Sequence, residues 1–173
     1  MQVGRHDMLE VGIGWVLSRV HIAMQRVPKL DETILIQTFA TDSRGIFFPR
    51  YFNFFAQDGS AIGSAATLWL IFNIEQRRAL RPRSMPHEYA RNNTLPIPLE
   101  VSDRLRLGAP VVVKETRRVR YTDADSNGHM NNTRYADYIC DLFESAWWHD
   151  HEFADFDISF VHELPVGVDL TLL

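Results

Sequence analysis

Residues Arg118-Val-Arg-Tyr-Thr-Asp123-Ala-Asp125-Ser-Asn127-Gly128-His129-Met-Asn131-Asn132-Thr-Arg-Tyr135 concentrate carboxylates, carboxamides and an imidazole in one short connection. The residues before it, Val111 to Tyr121, are rich in β-branched side chains and alternate in polarity, which predicts a strand. After it, Tyr135, Tyr138, Ile139, Leu142, Phe143 and Ala146 recur at helical spacing and predict a long helix to about His149. The polar cluster is therefore expected just outside a helix N-terminus. There, unpaired amides and the helix dipole stabilise negative charge by about 0.3–1 kcal/mol at an exposed site. A developing oxyanion suits that place, and the connection reads as an active site.

Other readings of the same residues are weaker. Asp123, Asp125, Asn127 and Gly128 match the opening of an EF-hand calcium loop, but its twelfth position, which should be a bidentate Glu, is Arg134. An Asx-rich turn that caps the helix with Asn131 or Asn132 explains one or two of the polar residues, not five. A zinc site from His129, Asp123 and Asp125 lacks a further ligand with a clear sequence signal. The single cysteine, Cys140, excludes an intramolecular disulfide and a thiolate metal cluster. It is expected inside the helix, away from the N-terminus that would favour its thiolate, and so reads as a small core residue.

The pattern Asp123-x-Asp125-x-Asn127-x-His129-x-Asn131-Asn132-x-x-Tyr135 resembles the motif of the acyl-acyl carrier protein thioesterases, a branch of the hotdog-fold thioesterases. Gly14-Trp15-Val-Leu-Ser-Arg19, Thr38-Phe39, the Arg50 segment, Asp58-Gly59 and Ala65 to Arg78 resemble successive blocks of that family's first repeat. Ile158-Ser-Phe-Val-His162-Glu163 resembles the later strand that carries its catalytic Glu. The resemblance implies an α+β chain of tandem hotdog folds, each an antiparallel sheet wrapped around a central helix. It also implies hydrolysis of acyl-acyl carrier protein to free fatty acid, no cofactor or resident metal, and the acyl-loaded carrier protein as partner. A homodimer is compatible with it. Acyl-coenzyme A hydrolysis is the nearest rival, and a non-catalytic acyl-binding subunit is the alternative from another class.

Carried over residue by residue, the resemblance assigns Asp125, Asn127, His129 and Glu163 to catalysis, with Asp123, Asn131 and Asn132 as secondary candidates. The chemistry is consistent with that set. Thioester hydrolysis needs an activated water or a carboxylate nucleophile, a group that handles its proton, and donors aimed at the carbonyl oxygen. Glu163 or Asp125 suits the first role, and an imidazole suits the second near neutral pH. The Asn127 carboxamide, with backbone amides of residues 130 to 132, suits the third. Asp123 also reads as a simple turn cap, and His162 as solvent-facing.

Composition sets outer limits. A chain of 173 residues that is 46% hydrophobic and 23% charged can bury a real core. Its net charge of −4 argues against a general nucleic-acid binder. Arg77, Arg78, Arg81 and Arg83, and again Arg117, Arg118 and Arg120, read mainly as solvated or alternating strand faces, some of which could dock an acidic carrier. No signal-peptide core or apolar run of about 20 residues appears, so the expected setting is cytoplasmic, with no membrane contact.

Along the chain, Trp15 to Val27, Glu32 to Thr41, Phe47 to Gln57 and Ala61 to Ile74 read as strands, the last pair joined by a turn at Asp58-Gly59. Residues 1–76 thus form the expected first repeat. The Pro- and Arg-rich residues 77–110 form a linker. Residues 111–173 form the second repeat, with a strand from Phe156 to His162. Relative to the family, the opening strand and most of the first central helix are expected to be missing, and the chain stops inside another strand, so both ends read as cut. Phe47, Phe48, Tyr51, Phe52, Phe54, Phe55, Trp69 and Phe72 read as core before tunnel lining.

Overall fold

The computed structural model describes residues 4–101 and 112–173. The chain divides into two compact units, Met1–Arg104 with Phe153–Ser159, and Leu105–Glu152 with Phe160–Leu173. In the first unit a short helix α1 (Arg5–Glu10) precedes β1 (Ile13–Met24), β2 (Ile34–Ala40), β3 (Phe48–Ala56) and β4 (Ala61–Asn73). These strands fall within two residues of their expected ends, except that β1 ends three residues short of Val27. The Asp58 carboxylate accepts from the amide (2.9 Å) and hydroxyl (2.7 Å) of Ser60, and Gly59 takes φ of 85°. A side chain resists that left-handed backbone, so Gly59 is what lets β3 fold straight back into β4.

All pairings in this sheet are antiparallel, in the order β2-β3-β4-β1-β7, where β7 (Asp155–Ser159) comes from far down the chain. A two-residue strand β5 (Arg78–Ala79) pairs with β4. Because successive side chains alternate faces, Phe48 and Tyr51 of β3 look opposite ways. Each nucleates its own core. Phe48 packs with Met8, Ile13 and Ile71, covered by Leu80, Met85 and Tyr89. Tyr51 packs with Phe39 and Ala66, covered by Leu95, Leu99 and Val101. The Pro-rich segment after β4 is therefore a strap across both faces of the sheet. Phe48 and Tyr51 are buried, as core residues should be, whereas Phe47, Phe52, Phe54, Phe55, Trp69 and Phe72 are only half-buried. At one point β1 and β4 approach so closely that only glycine fits: Gly63 lies opposite Met24, against the Ala23 carbonyl.

The second unit pairs β6 (Glu115–Arg118) with β8 (Asp169–Leu172) and lays helix α2 (Asn132–Cys140) on them. Val119, Met130 and Tyr138 form its buried centre, flanked by Tyr135, Leu164, Leu170 and Leu172. Arg117 ties β6 to the end of α2, holding Glu115 (2.7 and 2.9 Å) and Asp141 (2.6 Å) while its guanidinium lies 5.0 Å from the Tyr138 ring centroid. Those two carboxylates, Glu115 foremost, raise the pKa of Arg117.

Three expectations are corrected. The helix does not run to His149 but ends at Cys140, followed by a turn and a 3-10 helix, Ser145–His149. The indole N–H of Trp148 donates to the Cys140 carbonyl (3.3 Å), taking an acceptor that a continuing helix would have used. Cys140 is thus at the helix end, half-buried, and burial pushes its thiol pKa up, with Asp137 and Asp141 adding to the shift. The strand expected over Phe156 to His162 stops at Ser159, opposite Arg19, where a register shift between Leu17 and Arg19 interrupts the β1 ladder. The strand expected from Val111 to Tyr121 is ordered as β6 only over Glu115–Arg118, and Val111 lies outside the described residues.

The β1–β2 connection gives a pH prediction. Glu32 accepts two hydrogen bonds from Arg26 (2.8 and 2.5 Å) and one from the Lys29 amide (2.9 Å). The Arg26 bonds first, then the Lys29 amide, hold its carboxyl at about 2, below the ordinary 4.5. A depressed carboxyl stabilises the fold above its unfolded pKa and loses that contribution as pH falls through the folded value. Parent and Glu32→Gln unfolding midpoints should therefore differ at pH 7 and converge between pH 4.5 and 2. A gap that stayed constant to pH 2 would show that Glu32 does not act by its charge.

Candidate active site

Between β6 and α2 the chain makes a 3-10 turn (Tyr121–Asp123) and then a closed loop. The loop is stapled like a small hairpin: the Asn131 amide donates to the Asp123 carbonyl (2.8 Å), Ala124 bridges to Met130, and the Asp125 amide donates to the His129 carbonyl (2.9 Å). Its tip turns through Gly128, φ 79°, whose amide donates to the Asp125 carbonyl (3.1 Å). An alanine there would be strained by the left-handed backbone, so the glycine fixes the path from Asn127 to His129.

Asp125 uses both carboxylate oxygens on Asn127, accepting from its amide at 2.8 Å and its carboxamide at 3.2 Å. This ring orients the Asn127 side chain. Met130, 4% exposed, anchors the far arm and donates its amide to the Leu164 carbonyl (2.8 Å), while His129 bridges to Pro165. That pairing brings in Glu163: His129 Nε2 lies 3.7 Å from Glu163 Oε2, with the two side chains 29% and 47% exposed. The distance is beyond a good hydrogen bond, and a small closing movement would bring the two groups into one. Both side chains are partly exposed. His162 is exposed beside them.

Asn131 is the N-cap of α2, its Oδ1 accepting from the Thr133 amide and hydroxyl, both at 2.9 Å, and Asn132 is the first helical residue. Asn131→Ala is expected to cost about 1 kcal/mol. A nine-residue helix is marginal by itself, so faster hydrogen exchange of the α2 amides, with a lower urea midpoint, is the expected readout. Unchanged exchange would show that tertiary packing alone holds the helix start. One expectation fails here. Of the amides at residues 130 to 132, those of Met130 and Asn131 are already bonded, to Leu164 and Asp123, and do not face a ligand. The same bonds that shape the loop remove those donors from an oxyanion site.

Asp123 is more than a turn cap. Its Oδ2 accepts from the Arg120 amide (2.7 Å) and from the Tyr138 hydroxyl (2.7 Å). The Arg120 amide foremost, opposed by burial and helped by Tyr138, lowers its pKa. Tyr138 is 8% exposed, and burial, then its bond to Asp123, raises its pKa. In sequence, Tyr138 shows only as part of the apolar stripe of the helix. A phenol in a buried stripe needs a partner for its hydroxyl, and that was the available signal. Among the described residues no group of three or more His, Cys, Asp and Glu side chains converges as a metal cage would require.

The model of the acyl-ACP thioesterase N-terminal domain matches residues 2–91, and that of the C-terminal domain matches residues 111–173. A chloroplastic dodecanoyl-[acyl-carrier-protein] hydrolase of Cinnamomum camphora is 20% identical over 178 residues, covering 94% of this chain and 43% of its own length. This chain thus spans less than half of that curated relative. An acyl-ACP thioesterase from Bacteroides thetaiotaomicron VPI-5482 superposes with a TM-score of 0.86 at 28% identity, over 98% of this chain and 69% of the other. The 12:0-ACP thioesterase from Umbellularia californica gives 0.78 at 18% identity, over 95% of this chain and 62% of the other, a likeness of fold alone.

Proposed function

The chain belongs to the acyl-ACP thioesterase family, and from that premise we propose that it hydrolyses the thioester of an acyl chain on acyl carrier protein, releasing free fatty acid. The approach of His129 to Glu163 across two loops carries this reading. Glu163 takes a proton from water as the water oxygen bonds to the thioester carbon. The carbonyl oxygen gains negative charge and is met by the Asn127 carboxamide, which Asp125 orients. As the carbon–sulfur bond breaks, the proton that Glu163 took passes through His129 to the departing thiolate, which leaves as a thiol and returns Glu163 to its carboxylate. Glu163 is the carboxylate proposed to act on water, because its Oε2 lies 3.7 Å from His129 Nε2 whereas Asp125 serves to orient Asn127.

We further infer two repeats, residues 1–76 and 111–173, joined by residues 77–110, and a cytoplasmic setting. Among the described residues no helix is long and apolar enough to cross a membrane. A second copy of the chain is a further partner, supported by Leu35 and Ile36, which are 53% and 56% exposed on the edge strand β2.

The test supplies one acyl group as its carrier-protein and coenzyme A thioesters to the purified chain and follows free thiol. A higher kcat/KM on the carrier thioester is expected. A higher value on coenzyme A would reassign the substrate, and a folded chain inert towards both would overturn the hydrolase reading for this chain.

A further inference from the structure

The loop that presents Asp125, Asn127 and His129 is closed on itself, but closure does not aim it. Its aim depends on what holds its base. One residue does most of that. The Asp123 carbonyl accepts from the helix-capping Asn131 (2.8 Å), its amide donates to the Arg120 carbonyl (3.0 Å), and its Oδ2 receives both the Arg120 amide and the Tyr138 hydroxyl. Tyr138 is two turns into α2, buried with Val119 and Met130, and its ring lies under the Arg117 guanidinium. Met130 in turn continues into His129 and holds the Leu164 carbonyl next to Glu163. A continuous path of packed or bonded groups therefore runs from the helix interior through Asp123 to both members of the His129 and Glu163 pair.

We propose that Asp123 and Tyr138 are positioning residues, which set the angle of the loop on the helix and thereby the approach of His129 to Glu163, without touching substrate. This rests on the hydrolase reading for its kinetic consequence but not for its structural one. Both donors use the same carboxylate oxygen, so the single carbonyl oxygen of an asparagine can accept them both. The role is geometric, and the negative charge is dispensable.

The test compares the parent with Asp123→Ala, Asp123→Asn and Tyr138→Phe in the full chain. In Asp123→Ala and Tyr138→Phe, kcat should fall on the order of 10- to 100-fold, the scale set by small misplacements of reacting groups, with KM within about twofold. Asp123→Asn should restore most of the rate. A second readout needs no turnover. In the parent and in Asp123→Asn, Glu163→Gln should perturb the His129 ring resonances. That response should collapse in Asp123→Ala and Tyr138→Phe, while amide exchange of Asp125 and Asn131 accelerates and that of β1 and β4 does not. An inert parent that still shows this pattern would defeat the hydrolase reading and leave the positioning role standing. Equal loss in Asp123→Asn and Asp123→Ala would overturn the proposal by making the charge itself necessary. So would a His129 response to Glu163→Gln that persists in Asp123→Ala, or is absent from the parent.

Discussion

Glu163→Gln and His129→Ala are each expected to slow thioester hydrolysis by about 10²- to 10⁴-fold, the usual contribution of a positioned acid or base. At about 1.4 kcal/mol per factor of ten, that is roughly 3 to 5 kcal/mol of barrier. The folded state should hardly register either change. Both side chains are partly exposed, and neither anchors the buried centre formed by Val119, Met130 and Tyr138. Because the two act on one water and one leaving group, the double variant should be little slower than the worse single one. Steady-state rates beside urea midpoints make the check. If either variant keeps more than half the parental rate while folding normally, that side chain is not handling a proton, and the assignment moves to Asp125.

Gly63→Ala should lower stability by about 1–3 kcal/mol, the range for forcing extra volume into a packed site. A Cβ at Gly63 would collide with the Met24 sulfur and lie 2.8 Å from the Ala23 carbonyl oxygen. The thioether can swing away. The carbonyl cannot, because it belongs to the backbone of β1, which pairs with β4 on one side and β7 on the other. Gly14→Ala is the matched control: in the same sheet, its Cβ would meet nothing nearer than Ile74 at 3.7 Å, an ordinary contact. Equal urea midpoints for the two variants would show that β1 and β4 separate at little cost.

Local pattern made most of the first unit legible. The runs that became β2, β3 and β4, and the turn at Asp58 and Gly59, depend on neighbours a few residues away, which is what alternation and turn chemistry report. The strand-to-helix connection was legible for the same reason, with the cap narrowed to Asn131 or Asn132 and the carboxylates before it; the fold selects Asn131. What escaped depends on distant partners. Trp148 ends α2 by reaching back eight residues, against an apolar stripe that continues past the true end. The Asp123 contact with Tyr138 spans fifteen residues across a loop, so no motif spacing encodes it. The amides of Met130 and Asn131 looked available because their acceptors, at Leu164 and Asp123, are fixed only once the chain has folded.

The strap over residues 80–101 bears on how such a chain can be recombined. Leu80, Met85 and Tyr89 on one face, and Leu95, Leu99 and Val101 on the other, belong to the cores of Phe48 and Tyr51 as much as any strand does. A chimera that exchanged strands at the end of β4 and took its connector from another parent would graft a foreign lid onto both faces at once. A crossover placed after Val101 keeps β1 to β5 and the lid in one inheritance, and only β7, which pairs with β1, crosses it. The connector should be treated as part of the module it covers, not as a tether whose length and composition are free to vary.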